Sequence, residues 1–194
     1  ASDVYKRQKV RDYRKLLQEL ELFHAMGAGN FHELMLAVAK DPAMLAFLDA
    51  GVNVKGAPNE NFAREIMELF TMGVGNYDEQ DIREAARAFT GWNYVDLQFV
   101  FNEHEHDGAR KVFLGRSGEF DGEDIIAMIM EQPATAEYIA GKIYRFFVRT
   151  ELSTELQSEL GSVLRAADYE IATLLETIFL SKDFYSDASV GTLM

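Results

Sequence analysis

Between Pro58 and Trp92 the chain reads PNENFAREIMELFTMGVGNYDEQDIREAARAFTGW, and its chemistry-bearing side chains recur at helical spacing. Glu60, Arg64 and Glu68 stand four residues apart, with Asn61 and Glu65 beside them and Asn59 just ahead. On a helical wheel Glu60, Asn61, Arg64, Glu65, Glu68 and Thr71 fall within about 140° of one another, and Phe62, Ala63, Ile66, Met67, Leu69 and Phe70 fill the other side. Glu65 and Glu68 are like charges one turn apart. Such a pair asks for a counter-charge: Arg64, Arg83 or Arg87 of the next helix, or a metal. Read as chemistry, the two carboxylates are candidate acids and bases. Read as structure, they belong to a ladder of surface pairs worth roughly 0.2–0.5 kcal/mol each, and ion-pair networks of this kind imitate active sites.

A second constellation is His104-Glu105-His106-Asp107, followed by Lys111. On an extended strand, alternation puts His104 and His106 on one face, where a carboxylate such as Glu65 would complete a two-histidine, one-carboxylate metal site. His106 oriented by Asp107 is the general-base alternative, although neighbours on a strand point to opposite faces. A plain polar loop also accounts for these residues. Trp92, Tyr94, Phe99 and Phe101 would make a stacking platform for a sugar, or simply core. No glycine-rich phosphate loop, nucleophile elbow or HExxH motif occurs, so no nucleotide cofactor is expected, and a divalent metal is the cofactor left open.

The elements that must position these groups are helical. Val10, Tyr13, Leu17, Leu20 and Phe23 make an apolar stripe, stopped by Gly27 and Gly29. Asn30 caps a second helix and Asp41-Pro42 opens a short third. After a loop over Asp49–Pro58, a helix begins at Asn59 or Glu60 and ends at Gly73 and Gly75, and Asp78 caps Glu79–Thr90. Asn93–Val95, Phe99–Phe101 and Lys111–Leu114 read as short strands of a hairpin or two. Helices follow over Asp121–Met130, Pro133–Val148, Thr154–Ala166 and Tyr169–Leu180. The expected fold is mainly α: one compact domain of about eight helices with a minor β element around residues 93–114.

The 194 residues suit a single domain with a sizeable core, and 48% hydrophobic with 26% charged residues is ordinary globular composition. Net charge is −13, with +4 over residues 1–15 and −17 over the remainder, so the body repels phosphate backbones and no nucleic-acid partner is expected. The longest apolar run, Ile125–Met130, is too short for a transmembrane segment. Cysteine is absent, which excludes disulfides and thiolate metal sites. Residues 1–8, with Ser2–Gln8 reading SDVYKRQ, look like a non-native stub from a sequencing adapter, and 9–194 like the C-terminal portion of a longer domain.

Several blocks together make a resemblance: Gly29–Asp49, Pro58–Gly75, Tyr77–Trp92, His106–Gly115 (HDGARKVFLG), Pro133–Val148 and Ser181–Ser186. Over most of residues 20–186 the chain resembles DUF1800, a bacterial family of unknown function. Members usually exceed twice this length, and their upstream region includes an aromatic and histidine-rich segment. They are often encoded beside an exported, sulfatase-like partner. The resemblance therefore implies a periplasmic, exported or other envelope role, and His106, Asp107 and Lys111 fall within its pattern whereas His104 does not. Two readings follow. The first is a non-catalytic accessory or binding module of the envelope. The alternative is a hydrolase-like enzyme with Glu65, Glu68, His106 and Asp107 as catalytic candidates, Asn59, Asn61, Arg64, Arg87, Trp92 and Lys111 as substrate-binding candidates, and His106 with Glu65 as candidate metal ligands.

Overall fold

The structure, a computed structural model, describes residues 9–189; the expected stub at residues 1–8 lies outside them. Nine α-helices and two antiparallel strand pairs make up the described part. The helices are α1 (Tyr13–Met26), α2 (Phe31–Ala39), α3 (Pro42–Phe47), α4 (Glu60–Glu65), α5 (Glu79–Ala88), α6 (Gly122–Met130), α7 (Pro133–Phe147), α8 (Thr154–Ala166) and α9 (Ile171–Phe179). Strand β1 (Trp92–Val95) pairs with β2 (Gln98–Phe101), and β3 (Lys111–Phe113) with β4 (Arg116–Gly118). The mainly α class is as expected, and β4 is an addition. Leu114 and Gly115 sit at φ 47° and 76°, the left-handed pair a two-residue hairpin demands, so the chain turns back instead of running on.

Helix starts follow local chemistry. Asn30, Asp41, Asn59, Asp78, Asp121 and Ser153 each accept a backbone N–H of the first turn they precede. At Asp78 and Asp121 the acid three residues on, Asp81 or Asp124, returns the bond and closes a capping box. Helix α9 starts two residues later than its apolar pattern suggests. Asp168 and Tyr169 adopt φ of 50° and 63°, and the Tyr169 N–H donates to the Leu164 carbonyl to finish α8.

The core runs between α2, α4, α5, α6 and α7, and α6 is buried nearly all round as its sequence requires. Phe62, Phe89, Trp92 and Phe99 pack edge-on in a chain, with successive centroids 5.0–5.2 Å apart from Phe89 to Trp92 to Phe99. Trp92 is therefore a core residue, 3% exposed, and not the face of a stacking platform. Gly122 lets α6 approach it; a Cβ there would stand 2.4 Å from Trp92 Cζ2.

Two elements depart from the helical-wheel reading. The first is the continuation of α4, which widens into a π-helix over Ile66–Thr71. A π-turn closes i→i+5 bonds and so takes up one residue more than an α-turn, which rotates everything beyond it. Thr71, expected on the polar face, is fully buried, and Leu69, expected inside, is 45% exposed. The Thr71 hydroxyl donates to the Ile66 carbonyl at 2.7 Å, and the Met72 N–H to the Met67 carbonyl at 2.9 Å. From α7, the Lys142 ammonium (2.8 Å) and the Tyr138 hydroxyl (3.4 Å) donate to the Leu69 carbonyl. Thr71→Val should cost about 1 kcal/mol, or roughly 2–4 °C in thermal melting, because it removes one buried hydrogen bond at constant shape. Thr71→Ser should retain most of it.

The second is α1, which begins at Tyr13 behind an Asp12 cap, so that Val10 precedes the helix. Its apolar stripe faces outward: Tyr13 is 76%, Leu17 51% and Leu20 65% exposed. Lys15 and Glu19, at 8% and 7%, face the body instead, with the Lys15 ammonium 5.1 Å from the Tyr94 ring centroid.

Candidate functional site

The predicted site residues gather into two clusters. The first is built on the inner end of α5. Arg87, in its last turn, donates from Nε to Asp107 Oδ2 at 2.7 Å, from Nη1 to both Glu84 oxygens at 3.0 and 2.8 Å, and from Nη2 to the Arg110 carbonyl at 3.3 Å. Glu84 in turn accepts the Val112 N–H, and Asp81 accepts the Leu114 N–H, so α5 carboxylates serve the free edge of β3. The Arg87 guanidinium holds the Asp107 carboxyl below its ordinary range, and Asp107 raises Arg87 in return.

Thr90 ties the loop to the helix end. Its hydroxyl donates to the Arg87 carbonyl and accepts the Asp107 N–H, while its carbonyl lies 2.9 Å from His106 Nδ1. A carbonyl only accepts, so His106 carries its proton on Nδ1, and its orientation comes from Thr90 rather than from Asp107. The His106 ring stands edge-on to Phe101 at 5.1 Å. Lys111 is 1% exposed and donates to the carbonyls of Asp107 (2.5 Å) and Ala109 (3.1 Å); burial lowers its pKa. His104 sits exposed in a 3-10 turn over Glu103–Glu105, so the strand alternation that would pair it with His106 does not exist.

The second cluster lies on the polar side of α4 and its π-helical extension. Arg64 donates to both oxygens of Glu79, at 3.0 and 2.8 Å, and to Glu60 at 3.0 Å. Neither Arg64 nor Arg87 hydrogen-bonds Glu65 or Glu68, both guanidiniums being engaged elsewhere; of the counter-charges expected from the sequence, Arg64 acts on Glu65 through its charge alone. Glu68 receives the Tyr77 hydroxyl at 3.3 Å, and burial followed by the Glu68 charge pushes Tyr77 up to about 12. Glu65 is half-buried, and its pKa is raised by that burial first and by Glu68 second. Asn59 caps α4, and the Asn61 amide donates to the Leu48 carbonyl, so both amides are used by the fold.

Residues the sequence reading passed over complete the frame. Asn53, 2% exposed, accepts the Asn59 N–H and donates to the Ala86 carbonyl, pinning the start of α4 to α5. Its only signal was an amide inside the glycine-bearing loop GVNVKG. Thr90 and Tyr77 were equally silent. No hydrogen bond or ion pair joins the two clusters among the described residues. Nor does any group of three or more His, Asp or Glu side chains there stand together as metal ligands. A polar cavity of about 390 Å³, between α2, α6 and the α8–α9 turn, is lined by neither cluster.

A mainly α domain whose helical hairpin is locked to a β-ribbon by an arginine–carboxylate network is the class these features define. The chain belongs to the DUF1800 family, described as proteins of unknown function, whose model matches residues 4–193. No curated protein and no solved structure matches the chain.

Proposed function

We propose that this chain is a non-catalytic accessory or binding module in which the Pro58–Trp92 hairpin is a rigid support. The observation behind the reading is the engagement of two cations, one in the hairpin and one on β3: Arg87 uses Nε, Nη1 and Nη2 in internal bonds, and the Lys111 ammonium donates to two carbonyls. Groups held this way stabilise a fold: four of the five Arg87 N–H donors and two of the three on Lys111 are committed to internal acceptors. An envelope location beside an exported, sulfatase-like partner belongs to the same proposal and comes from the family resemblance alone.

One observation favours a second reading, a hydrolase-like acid–base site. Glu65 is a half-buried carboxylate with a raised pKa within reach of the Glu68 charge, and π-helical turns such as the one that follows it recur at functional sites. Glu65→Gln separates the two. A carboxyl whose folded pKa lies above its unfolded value binds more protons in the native state, so stability falls as pH rises through that interval. In the module reading Glu65→Gln therefore raises the melting temperature by about 1–3 °C at pH 7. The gain disappears once pH drops below the ordinary glutamate range. Hydrolysis of model esters, phosphoesters or glycosides by the parent chain, lost in a fully folded Glu65→Gln, would sink the module reading.

A further inference from the structure

Helix α1 meets the body with Leu22 and Met26 beside the charged Lys15 and Glu19, and leaves Tyr13, Leu17, Leu20 and Phe23 turned to solvent, an apolar stripe that burial does not favour on a free surface. Tyr13, Leu17, Leu20 and His24 follow one another at spacings of four, three and four residues, the d and a positions of a heptad seam. Arg14 and Glu21 occupy one flank of that seam, seven residues apart, and Leu16 and Phe23 occupy the other. We infer that this face pairs with the same face of a second copy, two α1 helices meeting antiparallel about a two-fold axis.

The seam is self-complementary in that arrangement and in no parallel one. With the axis between Gln18 and Glu19, Leu17 of one copy meets Leu20 of the other, and Tyr13 meets His24. Antiparallel helices bring equivalent flanks together. Arg14 then faces the second copy's Glu21, twice over, and Leu16 faces its Phe23. A parallel pair would set each flank against the other, Glu21 against the second copy's Leu16, with no charge pair between them. Arg14 has the capacity: Nε and Nη2 hold Asp12 and Asp96, and among the described contacts Nη1 takes none. Two fourteen-residue faces lie at the low end of interface sizes, below about 1,200 Å² in total, so the assembly is a weak, concentration-dependent dimer. The inference stands apart from the proposed function, since it holds whether or not the chain is catalytic.

The test is sedimentation velocity across a roughly hundredfold range of concentration, with Leu20→Arg alongside. Leu20 is 65% exposed, so arginine there leaves the monomer's melt unchanged. The expected result is a monomer–dimer shift in the parent chain that Leu20→Arg abolishes. Register is read by oxidative cross-linking, made clean by the absence of native cysteine. Tyr13→Cys chains mixed with His24→Cys chains should form the mixed disulfide, and neither alone should self-link. In the antiparallel pair identical positions lie about 16 Å apart along the axis. A parent chain that stays monomeric throughout overturns the inference, as does a dimer indifferent to Leu20→Arg or self-linking of Tyr13→Cys. Retention of monomeric parent chain on phosphatidylcholine vesicles, lost in Leu20→Arg, would assign the face to lipid and overturn it too.

Discussion

Arg87→Ala should lower stability by about 2–3 kcal/mol, or roughly 5–10 °C in melting temperature. The size follows from what is left behind. Asp107 and Glu84 side chains are only 15% and 17% exposed, and removal of the shared guanidinium strands two negative charges in a half-buried seam. The Arg110 carbonyl and the tether from α5 to the His106–Arg110 loop go with it. Arg87→Lys should recover little, because one ammonium cannot span Asp107, both Glu84 oxygens and a carbonyl from the geometry of a planar fork. A pH series supplies an independent mark. Asp107 titrates below its ordinary range when folded, so its contribution is complete above that range and lost as pH falls through the depressed value. Urea melts of the parent chain should therefore weaken on the acid side, and Arg87→Ala should show a flatter acid limb. A mutant with parental stability would mean that the network is ornamental and the buttress reading wrong.

What was legible in the sequence was local, and what was missed was relational. Asn30, Asp41-Pro42, Asn59, Asp78, Asp121 and Ser153 announced helix starts because a cap and its helix lie within four residues of each other. The hairpin glycines and the all-apolar α6 were readable on the same ground. The π-helix was not: an i→i+5 turn has no composition of its own, and the bonds that hold it come from Thr71 inside and from Lys142, more than sixty residues away. The wheel therefore misplaced Thr71 and Leu69. Amphipathicity told that α1 has two faces but not which one meets the body, since Lys15 finds an aromatic ring there and Leu17 does not. In the candidate site the residue types were visible and their pairing was not. Arg87 lay twenty positions from Asp107, and the same carboxylate could equally have oriented His106 until Thr90 was seen to do so.

Lys111→Ala should be the most damaging single change, at about 3–5 kcal/mol, enough to drop the melting temperature by roughly 10 °C or more. Two losses combine there. The aliphatic stem is packed at 1% exposure beneath the loop, so truncation opens a cavity, and the carbonyls of Asp107 and Ala109 lose the donor that fixes the loop. Lys111→Met keeps the stem and discards only the charge and its bonds, and it should cost about half as much. The alkaline side distinguishes these contributions. Burial sets the folded pKa of Lys111 below the ordinary 10.5, so the unfolded chain binds the extra proton and stability rises with pH between the two values. Denaturant melts taken from pH 7 toward 10 should show that rise in the parent chain and lose it in Lys111→Met. Amine-reactive labelling completes the argument: an ammonium that meets a substrate must be reachable, whereas a structural one must not. Succinimidyl esters should modify Lys55 and leave Lys111 untouched until the chain unfolds, since Lys55 is exposed and Lys111 is enclosed. Rapid native-state labelling at Lys111 would return it to the list of substrate-facing groups and reopen the catalytic reading of the whole hairpin.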